Sequence, residues 1–305
     1  MEKRERRSRI AATVAVAVAA MVVTAAPLLA QEEAGPASAK GKSVDKTGKG
    51  YTAAFVIDPA TKKVYFEENA DLVLPTASMA KMMTCLIAVE RESHGLLKLD
   101  KPVAISAKAS KMGGSQIYAK QGQTFPMKTL LAAAMIQSAN DAATAIAEDI
   151  AGSTEAFADM MNARAKQLGL TKTTFYDPHG LPNAKDPARV DEMSARDLAT
   201  LGIELMKYPL MRQYAKTATF PFENGTFTAG LTNPNHLVNP GKRDYMPAAT
   251  GIKTGYSGPA GFCITASAEK GGRQLVAVVM GAKKRYGPLS SFGIAARLMN
   301  EAFAK

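Results

Sequence analysis

The sequence predicts an α+β fold: an antiparallel sheet flanked by helices and carrying an all-helical insertion. Three observations predict it. β-type runs lie near both ends of the chain, at Tyr51–Ile57 and Val64–Phe66, then at Ala248–Tyr256, Gly261–Ala268 and Gln274–Ala282. A block of helical patterns separates them: Met79–Val89, Met127–Gln137, Asp141–Ile150, Thr154–Leu168 and a helix from Ser194 through Met206. The first of these is apolar on every side except at Lys81, and a helix hydrophobic all round belongs inside a domain. Strands from both ends with helices between them make one sheet covered by helices.

Taken in order, the first 30 residues stand outside this fold. Lys3, Arg4, Arg6, Arg7 and Arg9 form a basic head, Ile10–Ala26 is Ala/Val-rich, and Pro27-Leu-Leu-Ala30 offers a small residue for cleavage before Gln31. Residues 1–30 are therefore expected to be a signal peptide. The alternative is a retained anchor, since about 20 apolar residues span a bilayer. Arg6-Arg7 is a twin-arginine pair, although the residues after it fit that export signal poorly. Residues 31–50, rich in Lys, Gly, Ser and Ala with no apolar period, read as a flexible linker. Residues 51–305 are long enough for one domain of about 250 residues with a large core.

Within that domain, Asp58-Pro59-Ala60-Thr61 marks a hairpin between the first two strands. A loop-rich section contains Gly113-Gly114-Ser115, and Gly152-Ser153 separates two helices. Phe175–Pro187 is a Pro/Gly/Asn loop. Ser194-Ala-Arg-Asp197 matches a capping box. Residues 217–250 are broken by Pro, Gly and Asn into β-type fragments. A Gly-Gly turn within Glu269–Arg273 joins the last two strands. Leu289, Phe292, Leu298, Met299 and Phe303 then recur at helical spacing.

The net charge of +11 falls to +8 once residues 1–30 are removed. A moderately basic exported protein suits an anionic envelope surface or a carboxylate-bearing substrate. Nucleic acid is excluded as a partner, since no clustered basic helix with interleaved aromatics occurs. Cys85 and Cys263 lie in apolar runs and are expected to be buried free thiols, with a disulfide the alternative. His94, His179 and His236 are scattered without metal-ligand spacing and read as loop or surface residues.

The chemistry centres on Lys81. Burying an ammonium costs free energy unless it is partnered or gives up its proton. Ser78, three residues earlier at the helix start, shares its face. A hydroxyl beside a desolvated lysine is a route to an activated nucleophile. The plainer reading makes Ser78 an N-cap and lets Lys81 snorkel to water. Ser-x-x-Lys also occurs at Ser43–Lys46 and Ser267–Lys270, but only the Ser78 copy opens an apolar helix. Ser138-Ala139-Asn140, the sole Ser-x-Asn, lies between two apolar helices, where Lys81 and a substrate amide would partner its polar groups. Lys253-Thr254-Gly255 lies in a strand-like run, where Gly255 would let a ligand backbone approach the strand edge. The same tripeptide recurs at Lys46-Thr47-Gly48 in the linker. An ordinary cap at Ser138 and a surface strand at Lys253 are the plainer readings.

The ordered set carries more than its parts. Ser-x-x-Lys, Ser-x-Asn and Lys-Thr-Gly stand in that order, 60 and then 115 residues apart. With Gly113-Gly-Ser, Ser138-Ala-Asn-Asp-Ala-Ala143, Pro178-His-Gly-Leu-Pro182, Ser194-Ala-Arg-Asp-Leu198 and Gly251-Ile-Lys-Thr-Gly-Tyr256, residues 50–305 resemble the serine-type D-alanyl-D-alanine carboxypeptidases. These are the low-molecular-mass penicillin-binding proteins, with the serine β-lactamase-like fold. The resemblance implies that Ser78 attacks the carbonyl between two terminal D-alanines of a peptidoglycan stem peptide, with Lys81 as general base. Ser138 would relay a proton to the leaving amine, and Asn140 would bond Lys81 or the substrate backbone. Lys253 and Thr254 would hold the terminal carboxylate, and the strand through Gly255 would pair with the peptide. The N–H groups of Ser78 and Tyr256 would form the oxyanion hole. β-Lactams would act as covalent inhibitors, and neither metal nor organic cofactor is implied.

Ser257 departs from the family's more usual threonine. The sequence as given stops soon after its last predicted helix, so a periplasmic or secreted enzyme is expected, with no C-terminal β-rich domain and no stable membrane anchor after signal removal. A D,D-endopeptidase that cuts cross-links is the nearest alternative. A class A β-lactamase is disfavoured because no Glu-x-x-x-Asn occurs, a β-lactam-binding sensor because no transmembrane relay is expected after signal removal, and an inactive scaffold because every motif residue is present.

Overall fold

The computed structural model describes residues 49–183, 186, 188–225 and 230–305. The signal peptide expected at 1–30, and the linker expected at 31–50 apart from its last two residues, lie outside the described residues. Along the chain, β1 (Ala53–Ile57) and β2 (Val64–Glu68) form the expected hairpin. Asp58 Oδ1 closes its turn by accepting from the N–H groups of Ala60 (2.8 Å) and Thr61 (3.0 Å). β3 (Leu74–Pro75) leads through a 3-10 turn, Ala77–Ala80, into α1 (Lys81–Ser93). The short strands β4 (Pro102–Ala104) and β5 (Thr124–Pro126) pair before α2 (Met127–Ala132), which runs into a π turn, Ala133–Gln137. α3 (Asn140–Ala151) and α4 (Thr154–Gln167) complete the helical insertion. Next come β6 (Glu192–Met193), paired with β3, then α5 (Ala195–Leu205), α6 (Pro209–Lys216) and the pair β7 (Thr219–Phe220) and β8 (Leu231–Thr232). β9 (Ala249–Ser257), β10 (Gly261–Lys270), β11 (Arg273–Ala282) and α7 (Ser291–Phe303) close the chain.

The sheet order is β2-β1-β11-β10-β9, antiparallel throughout, so the N-terminal hairpin joins the C-terminal strands through β1 and β11. Period-2 alternation sorts the side chains to two cores. Phe55, Val276, Val278 and Met280 face the helical half, where α1 sits. Val56, Ile264, Leu275, Ala277 and Val279 face α7. Both faces are therefore covered, and β9 forms one edge of the sheet.

Four details depart from the sequence reading. The stretch Met127–Gln137, expected as one α-helix, changes to a π turn at Ala133 and ends at Ser138 in the left-handed region (φ 64°). α6 was not anticipated; Pro209 at its first position starts a helix without disrupting it. The capping box is half formed. Ser194 accepts from Asp197 N (3.1 Å), but the Asp197 carboxylate turns to Lys172 N and Thr173 Oγ1, both at 2.8 Å. Two histidine side chains turn inward: His179 lies on a loop as expected but is buried, and His236 stacks on the rings of Tyr286 and Phe292. Cys85 and Cys263 are free and buried, and burial pushes both thiols up to about 12.

Candidate active site

Ser78 is the second residue of the turn Ala77–Ala80, and Lys81 opens the helix that follows. Ala77 holds a left-handed φ of 47°, an unusual conformation for a residue with a side chain. Packing leaves little room for another shape. A Cβ on Gly255 of β9 would meet Thr76 O at 2.7 Å, and one on Gly180 would lie 2.0 Å from Ala77 O. The close approach that Gly255 permits is thus to the Ser78 turn, where the sequence reading expected a ligand backbone.

Lys81 is fully buried. Its Nζ lies 3.0 Å from Ser78 Oγ and donates to the carbonyl of His179 at 2.7 Å. Burial first, and then the positive charge of Lys253, hold the Lys81 ammonium well below the ordinary lysine value; Asp177, Cys85 and Asp191 oppose them. Ser138, also in the left-handed region, accepts at Oγ from Lys253 Nζ at 2.8 Å. Lys253 is itself buried and donates to Thr254 O (3.1 Å). Two of the five described non-glycine residues with positive φ are therefore Ser138 and the neighbour of Ser78, a clustering characteristic of functional sites.

Of the two partners expected for Asn140, Lys81 is not the one it meets here. Its Nδ2 donates to Gly113 O (2.7 Å) and its backbone N–H to Ser115 O (2.7 Å), which fastens the Gly113-Gly-Ser loop to the site. No bond joins it to Lys81 among the described residues. Its Oδ1 is buried and has no partner among them. The polar groups of the Ser138–Asn140 break are thus partnered by Lys253 and the Gly113 loop. Thr254, Gly255 and Tyr256 follow Lys253 along β9; Tyr256 is exposed and stacks on Phe262, with 4.4 Å between ring centroids. Ser257, where threonine is more usual, accepts from Ala260 N (3.2 Å) and so closes the β9–β10 turn.

The loop Tyr176–Leu181 enters the sequence reading only as a loop and through the Pro178-His-Gly-Leu-Pro182 motif, with no role in the site assigned to it. Asp177 Oδ1 accepts from the N–H groups of His179 (2.8 Å) and Gly180 (2.6 Å), and lies 2.8 Å from His179 Nδ1. Asp191 Oδ1 accepts from Tyr176 N (2.6 Å) and Asp177 N (3.2 Å). Thr84 Oγ1, one turn along α1 from Lys81, donates to Pro178 O (2.6 Å). Two carboxyl groups thus hold the loop whose carbonyl receives the Lys81 amine. Burial, and then the charge of Asp177, push the Asp191 carboxyl well up. Burial also opposes ionisation of Asp177, but its contacts with His179 and the loop N–H groups outweigh it and hold this carboxyl down. The available signal was physical: a buried lysine requires a partner, and Pro178-His-Gly-Leu-Pro182 is a stiff loop able to offer a carbonyl.

Gly180 makes this dependence measurable. Its φ of 80° and its contact with Ala77 O exclude a side chain. Gly180→Ala is expected to displace the Ser78 turn and slow acylation by a β-lactam about 10²-fold, the scale associated with ångström misplacement of reacting groups. An unchanged rate in a folded variant would mean that the loop does not hold Ser78 in place.

Comparison with known proteins places the chain in a family. Residues 42–284 match the family model described as D-alanyl-D-alanine carboxypeptidase. The D-alanyl-D-alanine carboxypeptidase DacF of Bacillus subtilis is 37% identical over 243 residues, covering 79% of this chain and 60% of the relative. The chain therefore spans less than two thirds of that relative's length. The D-alanyl-D-alanine endopeptidase of Escherichia coli is 32% identical over 281 residues, covering 91% of this chain and 84% of the relative. The ampicillin-bound structure of a penicillin-binding protein from Listeria monocytogenes superposes with a TM-score of 0.71 at 27% identity, covering 83% of this chain and 97% of that one. A match over most of its length, on a fold with a buried Lys81 beside Ser78, makes this chain a member of the D-alanyl-D-alanine carboxypeptidase family of peptidases.

Proposed function

We propose that the chain is a serine D-Ala-D-Ala carboxypeptidase, trimming the terminal D-alanine of peptidoglycan stem peptides through an acyl-enzyme on Ser78. The observation that carries this reading is the 3.0 Å contact between Ser78 Oγ and an amine that the fold has removed from water. With Lys81 neutral, the Ser78 O–H donates to the Nζ lone pair, and the amine takes the proton as Oγ adds to the carbonyl carbon. The N–H groups of Ser78 and Tyr256 receive the oxyanion, an effect worth about 3–4 kcal/mol per donor. Ser138 relays the proton that Lys81 took to the departing D-alanine amine, taking one from Lys81 as it gives one up, so that Lys81 is neutral again. Water then hydrolyses the Ser78 ester, freeing the shortened peptide and restoring the hydroxyl.

Binding follows from the same residues. Lys253 and Thr254 hold the substrate's terminal carboxylate, and β9, at the edge of the sheet, pairs with the peptide through Gly255 and Tyr256. The buried, unpartnered Oδ1 of Asn140 supports a contact with a substrate N–H. β-Lactams acylate Ser78 as mimics of the acyl-D-Ala-D-Ala end. The reading places the enzyme in the periplasm or outside the cell, with residues 1–30 as the export signal, 31–50 as a linker and 51–305 as the catalytic domain. Among the described residues no helix is long and apolar enough to cross a membrane.

A second reading, D,D-endopeptidase action on cross-links, draws support from one observation: the endopeptidase relative from Escherichia coli is covered over 84% of its length. Digestion of purified cross-linked peptidoglycan, with products identified by mass, separates the two. Free D-alanine and stem peptides one residue shorter are the expected products. Conversion of dimers to monomers without free D-alanine would reject the first reading in favour of the second.

A further inference from the structure

Outside the Ser78 site, two surface segments lie together although more than 35 residues separate them: 239–246, which leads into β9, and 283–290, which joins β11 to α7. Their side chains fix them to each other. The His236 ring stacks on Tyr286 and Phe292, both with centroids 4.8 Å away and interplanar angles of 10° and 6°. His236 Nδ1 lies 3.2 Å from Asp244 Oδ2, and the Arg243 guanidinium rests against Gly287. Within 283–290, Ser290 Oγ donates to Gly287 O at 2.6 Å.

This surface combines a dense run of cations with exposed apolar side chains. The two segments carry Lys242, Arg243, Lys283, Lys284 and Arg285 against one acid, Asp244. That acid is turned inward, with its side chain 8% exposed beside His236. Some basic side chains elsewhere are offset by acids, as in Lys101–Asp149, Lys108–Glu155 and Arg196 with Glu67 and Asp71. Lys242, Arg243 and Lys284 are exposed and form no ion pair among the described residues. Three of the nine large apolar side chains that stand exposed are here as well: Tyr245, Tyr286 and Leu289.

From this arrangement we infer that the surface formed by 239–246 and 283–290 docks the enzyme on an anionic lipid bilayer. Lysine and arginine attract anionic headgroups, while tyrosine and leucine enter the interface between headgroup and acyl chain. A soluble polyanion would use the cations alone and leave Tyr245 and Leu289 in water. The register also relates this surface to the Tyr256 end of β9. Ala282, just before Lys283, pairs with Phe262, and Phe262 pairs with and stacks on Tyr256. The docking segment 283–290 and the Tyr256 end of β9 therefore leave the sheet at the same end.

The test uses the full chain with a polarity-sensitive fluorophore on Leu289→Cys, or on Leu96→Cys as a control exposed on the helical half. The native Cys85 and Cys263 are buried, which shields them from the label. On phosphatidylglycerol vesicles at low salt, the label at 289 is expected to shift to the blue and resist an aqueous quencher. It should do neither on phosphatidylcholine, and the label at 96 should do neither on any vesicle. Changing Lys242, Arg243 and Lys284 together to Glu should lower the protected fraction at 289 about tenfold or more, since each basic residue near such a surface contributes roughly fivefold. Hydrolysis of a soluble peptide by that triple variant should be unchanged. Equal quenching of the two labels on phosphatidylglycerol would overturn the inference, as would protection by inorganic polyphosphate without protection by vesicles. A triple variant that retained full protection would overturn it too.

Discussion

Ser78→Ala is expected to abolish D-alanine release and covalent labelling by a fluorescent penicillin while leaving the fold intact. Removal of a hydrolase's nucleophile costs at least about 10⁴-fold in turnover, since the remaining binding groups cannot form the covalent intermediate. The fold should tolerate the change for a structural reason. Among the described residues, the hydrogen bond of the Ser78 hydroxyl is the one with Lys81. Near-ultraviolet circular dichroism and the thermal midpoint should therefore match the parent. Stoichiometric labelling of the alanine variant at another serine would transfer the nucleophile's role away from Ser78.

Lys81 offers the second large effect, with activity and stability moving in opposite directions. Lys81→Arg retains a charge that cannot be lost at any working pH, and Lys81→Met retains the bulk without a base. Acylation should collapse in both, by about 10²–10⁴-fold, the usual contribution of a positioned general base. In the parent, the acylation rate should rise with pH through the lowered Lys81 value and level off above it. The stability sign follows from the same shift. Between the lowered folded value and the unfolded value near 10.4, the unfolded chain holds the Lys81 proton and the folded chain does not. Stability therefore rises with pH across that window, and the cost of burying Lys81 is fully expressed below its folded value. Lys81→Met removes that cost and should raise the thermal midpoint at neutral pH, as replacement of buried charge by apolar bulk often does. Near-normal acylation by the arginine variant would show that Lys81 is not a base. A lower midpoint for the methionine variant would show that the bond to His179 O outweighs desolvation.

Much of the architecture was legible because the relevant patterns are local. The hairpin at Asp58, the Gly271-Gly272 turn and the alternation through β10 and β11 depend on neighbours within a few residues. The burial of α1 followed from composition alone, since Met79–Val89 has no polar stripe to turn toward water. α6 and the π turn were not legible for the complementary reason. A helix of eight residues shows barely two turns of period, and the extra residue of a π turn leaves the apolar pattern of Met127–Gln137 unchanged.

By itself the sequence determined which side chains could carry chemistry, because residue type and local burial are written into it: Ser78 ahead of an all-apolar helix with one lysine, then Ser138-Ala-Asn140 and Lys253-Thr-Gly255 in order. Only the tertiary structure decided which groups meet. It brings Lys253 to Ser138 across 115 residues, turns Asn140 toward Gly113 and sets Gly255 against the turn that holds Ser78. It also supplies the His179 carbonyl to Lys81, with Asp177 and Asp191 behind it. The physical reason is that a backbone carbonyl is the same at every position, so its role arises only from the packing that carries it within hydrogen-bond reach of a buried amine.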